Sequence, residues 1–148
     1  MSENVSTLRS IASIRHRVQP VEVDGFQVVH FSNYLRWYSS AMMAAFEAKS
    51  LGPGRFDDGR VEIRVGRVQA AYISSARLGD EVTIDVMDLT TTRNGMLFAF
   101  RASCEGRLLS RARLQVAFVD AETGRLTTPP ADVVQALSPE LPPIAATA

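Results

Sequence analysis

Few residues of this chain could do chemistry, and most of those that could stand between positions 22 and 38. Glu22 and Asp24 supply two carboxylates two residues apart, His30 an imidazole and Asn33 an amide, all before or at the start of a long apolar run. A carboxylate there could attack an electrophilic carbon or take a proton from water. Simpler readings stand beside each of these. Asp24-Gly25 is also an ordinary turn dipeptide. Glu22 reads first as a solvated charge that could share a face with Asp24. His30 reads as a structural group that could orient a ligand, and Asn33 as a helix cap or a packing hydrogen bond. Farther along, Arg107, Arg111 and Arg113 form a basic stripe, either a solvated sheet face or a site for phosphates. Cys104 is alone, which excludes an intramolecular disulfide and a cysteine-built zinc cluster. Two histidines without ligand spacing give no reason to expect a metal.

The element that must position these groups is a helix from about Ser32 to Leu51. Leu35, Tyr38, Met42, Ala45 and Phe46 follow a helical period, while Trp37, Ala41, Met43, Ala44 and Ala48 fill much of the remaining surface. With only Arg36, Glu47 and Lys49 charged, such a helix must be buried in a core or by a partner chain. Ser32 or Asn33 is expected to cap its start, and Gly52-Pro53-Gly54 to stop it. A strand is expected around Ile14–Val18, ended by Pro20, and residues 52–60 as a loop. Apolar residues occupy odd positions at Val61, Ile63 and Val65 but even ones at Val68, Ala70 and Tyr72, so a bulge is expected near Gly66. Further strands are expected at Val82–Val86, at Met96–Cys104 after the hairpin signal Asn94-Gly95, and at Leu108–Phe118 after Glu105-Gly106. In that last strand Leu108, Ala112, Leu114, Val116 and Phe118 are expected to face the core. Residues 1–11 read as loose. A proline-rich tail runs over about 126–148, with a helical turn at Ala131–Leu137. One strand, one long helix and an antiparallel meander make an α+β fold: a curved sheet of about five strands around one long central helix. The chain reads as a single domain over 1–148, its core about 12–120.

The run Asp24-Gly25-Phe26-Gln27-Val28-Val29-His30-Phe31-Ser32-Asn33-Tyr34-Leu35 resembles the signature of hotdog-fold acyl thioesterases of the 4-hydroxybenzoyl-CoA thioesterase-like group. Ala76-Arg77-Leu78-Gly79-Asp80-Glu81 and Val119-Asp120-Ala121-Glu122-Thr123-Gly124-Arg125 resemble two later family segments, so the likeness covers roughly residues 12–137. The resemblance implies hydrolysis of an acyl thioester, with Asp24 as nucleophile or general base and the Phe31 backbone N–H as oxyanion donor. It implies no cofactor. Gln27, His30, Asn33, Tyr34, Trp37 and Tyr38 would then contact substrate, unless the aromatic ones are simply core. A helix start suits the oxyanion role, because its free N–H groups and partial positive charge stabilise a developing anion. Three departures stand out. Gln27 occupies a place where many relatives have glycine, Phe31 replaces a histidine or tyrosine, and Ser39 and Met42 stand where many relatives have Glu and Arg. The run Val29–Trp37 also resembles the enediyne-polyketide branch, which lacks the aspartate and acts on carrier-protein thioesters.

Competing expectations are a hydratase or dehydratase on the same fold, for which no Asp–His pair is apparent, and a non-catalytic module that binds acyl groups or an acyl carrier protein. The resemblance implies a homodimer or a homotetramer built as a dimer of dimers, with acyl-CoA or an acyl carrier protein as partner. Lys+Arg and Asp+Glu both number 16, which argues against nucleic acid and against a charge-driven membrane anchor. No apolar run approaches the ~20 residues of a membrane helix, and the first residues lack the apolar core of a signal peptide. A cytoplasmic protein is expected.

Overall fold

The computed structural model describes residues 11–52 and 55–137. Residues 1–10, Pro53-Gly54 and the tail beyond residue 137, for which a loose segment, part of a helix stop and a proline-rich tail are expected, lie outside the described residues. β1 (Ala12–Arg17) is followed by a 3-10 turn (Pro20–Glu22), α1 (Ser32–Ala48), β2 (Arg55–Phe56), β3 (Val61–Tyr72), β4 (Glu81–Thr91), β5 (Gly95–Cys104), β6 (Arg107–Asp120) and α2 (Ala131–Leu137). The strands form one antiparallel sheet in the order β1-β4-β5-β6-β3-β2. The sheet thus has six strands rather than about five. The addition is the two-residue β2, which pairs with Val61 and Glu62 inside a segment whose glycine, proline and aspartate residues read as loop.

α1 packs on β1, β4 and β5. It forms because Ala41, Met42, Ala44, Ala45 and Ala48 are strong helix formers, and it docks because Tyr34, Trp37, Tyr38, Ala41, Met42, Ala45 and Phe46 recur at helical spacing and are buried. Its other side is not covered in the single chain. Arg36, Ser40, Glu47 and Ala48 are exposed, and Met43 and Ala44 half-buried. The helix also ends earlier than Gly52. Ser50 takes the left-handed position (φ 59°), and the N–H groups of Ser50 and Leu51 bond the carbonyls of Glu47 and Phe46. That is a Schellman stop built on serine.

The bulge expected near Gly66 is present between Val65 and Arg67. Two others carry no glycine and were not legible: Met87 is the extra residue in β4, and Leu109 in β6. Leu109 is fully buried while Leu108 is only partly so, which corrects the expected core face of β6. Met96, Phe98, Phe100, Ala102 and Cys104 are all buried as the alternation implies. Gly95 is needed for close approach rather than for its backbone angle, since a Cβ there would sit 1.8 Å from the Val116 carbonyl oxygen. On β3, Val61 and Ile63 are half-buried against the core, whereas Val65, Val68 and Tyr72 are exposed, and among the described residues the edge of β3 beyond Glu62 has no strand against it.

Candidate active site

The segment between the 3-10 turn and α1 is a small hairpin. Val23 pairs with Val29, the Gln27 N–H donates to the Asp24 carbonyl, and the Asp24 N–H donates to the Val28 carbonyl. Gln27 sits at φ 66°, the left-handed position of a three-residue hairpin loop. A left-handed residue is the kind of position that favours glycine, as the sequence resemblance leads one to expect here. One Asp24 carboxylate oxygen accepts the Phe26 N–H at 2.8 Å, an Asx turn that closes the loop tip. Asp24 is exposed in the single chain, as are Phe26, Gln27, His30 and Phe31. Val28 bridges to Arg77 and the Val29 N–H bonds the Ala76 carbonyl, tying the hairpin to the segment after β3.

Neither Ser32 nor Asn33 caps α1. Phe31 occupies the cap position with helical angles and no side-chain cap. The Ser32 hydroxyl instead meets His30 Nδ1 at 2.8 Å, and the Ser32 N–H reaches the same nitrogen at 3.3 Å. The Asn33 amide donates from Nδ2 to the carbonyls of Glu22 (3.0 Å) and His30 (3.2 Å). The Asn33 and Tyr34 N–H groups bond the carbonyls of His30 and Phe31. Among the described residues the Phe31 N–H alone at this helix start has no acceptor. Its direction is fixed nonetheless. It belongs to the same planar peptide as the His30 carbonyl, and that carbonyl receives both the Asn33 N–H and the Asn33 side chain. An anion stabilised by this amide would meet a preset donor.

Around the free amide lie aromatic rings. Phe31 stacks on His30 at 4.6 Å and meets the edge of Tyr72 at 6.0 Å; Tyr72 lies 5.5 Å from Tyr34, and Tyr34 lies 4.9 Å from Trp37. Of the residues expected to contact substrate, Gln27 and His30 are at the surface with Asp24 and Phe31, whereas Asn33, Tyr34, Trp37 and Tyr38 are buried. Tyr38 is wholly enclosed beside Phe100 and Ser110, and burial pushes its hydroxyl up, above the ordinary tyrosine value. Neither the Tyr38 nor the Ser110 hydroxyl has a well-aligned partner.

Glu22 is where the sequence misled. The carboxylate is buried, not solvated, and its two oxygens accept the Gln19 N–H (2.8 Å), the Trp37 indole N–H (3.1 Å) and His16 Nε2 (2.7 and 2.9 Å). Burial works to raise its pKa, but the bonds from Gln19, His16 and Trp37 together outweigh it and hold the carboxyl below its usual 4.5. The structure thus contains an acid–histidine pair that the sequence did not suggest, although its carboxylate is already occupied by three donors. A signal existed only in retrospect: Pro20 and Glu22 flank the turn that brings Gln19 round to the carboxylate. The arginine stripe also divides. Arg107 donates to Ser74 and to the Ser75 carbonyl, while Arg111 and Arg113 join Arg101 along a groove of ≈ 650 Å³ that includes no residue of the 24–31 segment.

Residues 18–137 match the model of the thioesterase-like superfamily. Among solved structures, a hypothetical protein of Thermus thermophilus is similar at 26% identity over 86% of this chain and 97% of that one, with a TM-score of 0.76. A 1,4-dihydroxy-2-naphthoyl-CoA thioesterase from Synechocystis is similar at 15% identity over 85% and 94%, TM-score 0.75. A Staphylococcus aureus protein in complex with CoA is similar at 16% identity over 88% and 83%, TM-score 0.75. No curated protein matches the sequence. Among the described residues no helix is long and apolar enough to cross a membrane. The family match spans most of the chain and the neighbours share its fold throughout, so the chain belongs to the thioesterase-like superfamily, among the hotdog-fold thioester hydrolases.

Proposed function

We propose that this chain hydrolyses an acyl-CoA thioester to free acid and thiol, with Asp24 as nucleophile or general base, the Phe31 N–H as oxyanion donor, and the sheet wrapped around α1 as the central helix. The observation that carries the reading is the Phe31 amide: free, preset in direction, and at the mouth of a helix. Attack on a thioester carbonyl turns its oxygen into an anion, and a preorganised N–H is worth most at that moment. Thiolate leaves readily, so a second catalytic carboxylate on α1, absent at Ser39 and Met42, is not required. Gln27 and His30 border the reacting group. Tyr34, Trp37 and Tyr38 shape the acyl side, and Asn33 aims the amide.

A second copy of the chain belongs to the proposal. Asp24 has one free carboxylate oxygen and an open surrounding, and Phe31, Tyr72, Val68 and Val65 form exposed apolar surface beside the unpaired edge of β3. Pairing two such edges would cover that surface and enclose Asp24. Thiol release measured over a panel of acyl-CoA and acyl-carrier-protein thioesters, with Asp24→Ala beside the wild type, tests the chemistry. Turnover of CoA thioesters with a loss of about a hundredfold in the variant is the expected result; an effect under about threefold removes Asp24 from the mechanism. Preference for carrier-protein thioesters would move the donor to that class. Sedimentation tests the assembly: full turnover by a monomer would remove the second copy from the site.

A further inference from the structure

We infer that Glu22 is a positioning residue for the oxyanion donor: its carboxylate, clamped by His16, Gln19 and Trp37, holds the peptide that aims the Phe31 N–H. This rests on the proposed role of that amide and extends it to a group that never touches substrate.

The clamp can be followed bond by bond. The carboxylate joins three elements: His16 from β1, the Gln19 N–H from the 3-10 turn and the Trp37 indole from α1. Anchoring the side chain on three partners restrains the Glu22 backbone, whose carbonyl accepts the His30 N–H at 2.9 Å and Asn33 Nδ2 at 3.0 Å. Asn33 Nδ2 also reaches the His30 carbonyl, whose peptide plane carries the Phe31 N–H. From the Glu22 carbonyl to the Phe31 amide, every step is thus a hydrogen bond or a rigid peptide. The ring of His16 lies 5.0 Å from that of Trp37, so the clamp is packed as well as bonded.

The arrangement suits an ionised carboxylate. Gln19 donates to one oxygen, Trp37 to the other, and His16 spans both. A carboxylate accepts at both positions, whereas an amide of the same shape would present an NH₂ to one of these donors. Glu22→Gln is therefore a near-isosteric way to release the clamp. A loosened donor harms the transition state more than the ground state, so kcat should fall about tenfold with KM little changed, and the Kd for a non-hydrolysable thioether analogue should stay within twofold. His16→Phe keeps a ring beside Trp37 but removes one donor, and should lower kcat about threefold. A folded Glu22→Gln protein whose kcat stays within twofold of wild type overturns the inference, as does a loss carried wholly by KM. Should the wild type release thiol from no thioester, the hydrolysis reading itself has failed. The clamp is then judged by amide exchange: the His30 and Asn33 amides, bonded to the Glu22 and His30 carbonyls, should exchange at least tenfold faster in Glu22→Gln at a temperature where both proteins are folded, and equal exchange overturns it.

Discussion

Two carboxylates stand two residues apart in this chain, and the fold treats them oppositely. Glu22 points inward beneath α1, where three donors from three elements occupy both oxygens. Asp24 stands at the tip of an exposed hairpin, one oxygen engaged by the Phe26 N–H. An ionised carboxylate whose lone pairs are all taken cannot serve as nucleophile or base without breaking the bonds that hold it. One with a free oxygen at the surface can. Burial alone would rank them the other way, because a buried acid is often taken for the catalytic one. Saturation decides: the enclosed residue builds the frame, and the open one is available to react.

Opposite losses should follow when each is removed. Asp24→Ala should lose about a hundredfold or more in kcat while its unfolding midpoint stays within about 2 °C, since it forfeits one loop hydrogen bond that solvent can replace. Glu22→Ala strands three donors under the helix and should cost about 3 kcal/mol, a fall of roughly 6–12 °C in Tm for a domain of this size. An Asp24→Ala protein as unstable as Glu22→Ala would erase the contrast. Acid titration sharpens it. The folded pKa of Glu22 lies below the unfolded value, so its contribution is fully present above about pH 4.5 and fades as pH falls through the lower, folded value. Wild type should lose stability faster than Glu22→Gln below pH 4.5. Asp120, held low by the Thr123 and Glu122 amides, adds its own acid limb to both proteins, so the difference between the two curves isolates Glu22.

Much of the frame was legible because its signals are local. Alternation along Met96–Cys104, the bulge at Gly66 and the turn at Glu105-Gly106 each depend on neighbours in sequence, and each appears in the structure. So does the helical turn at Ala131–Leu137. The misses depend on partners distant in sequence. The Met87 and Leu109 bulges are matters of register with another strand. The clamp on Glu22 needs Trp37, fifteen residues away, and His16 on another element; no spacing rule joins them. The helix start shows both sides of this. Its place was readable from composition, but its cap was not, because Asn33 and Ser32 found better acceptors and donors in the folded loop than the helix offered.

Gln27 provides the finest test of the division between frame and reactive tip. Its φ of 66° belongs to the region that side chains with a Cβ enter at a cost of roughly 1 kcal/mol. Glycine removes that cost, while enlarging the freedom of the unfolded chain gives part of it back. Gln27→Gly should therefore leave stability unchanged or raise it by up to about 0.5 kcal/mol. If the glutamine side chain narrows the site or holds a water beside Asp24, the same change should lower kcat/KM severalfold, a strained residue retained for function. Unchanged turnover would make Gln27 a tolerated irregularity of the loop. A loss of stability above about 1 kcal/mol would show the side chain to be part of the frame, on the Glu22 side of the comparison rather than the Asp24 side.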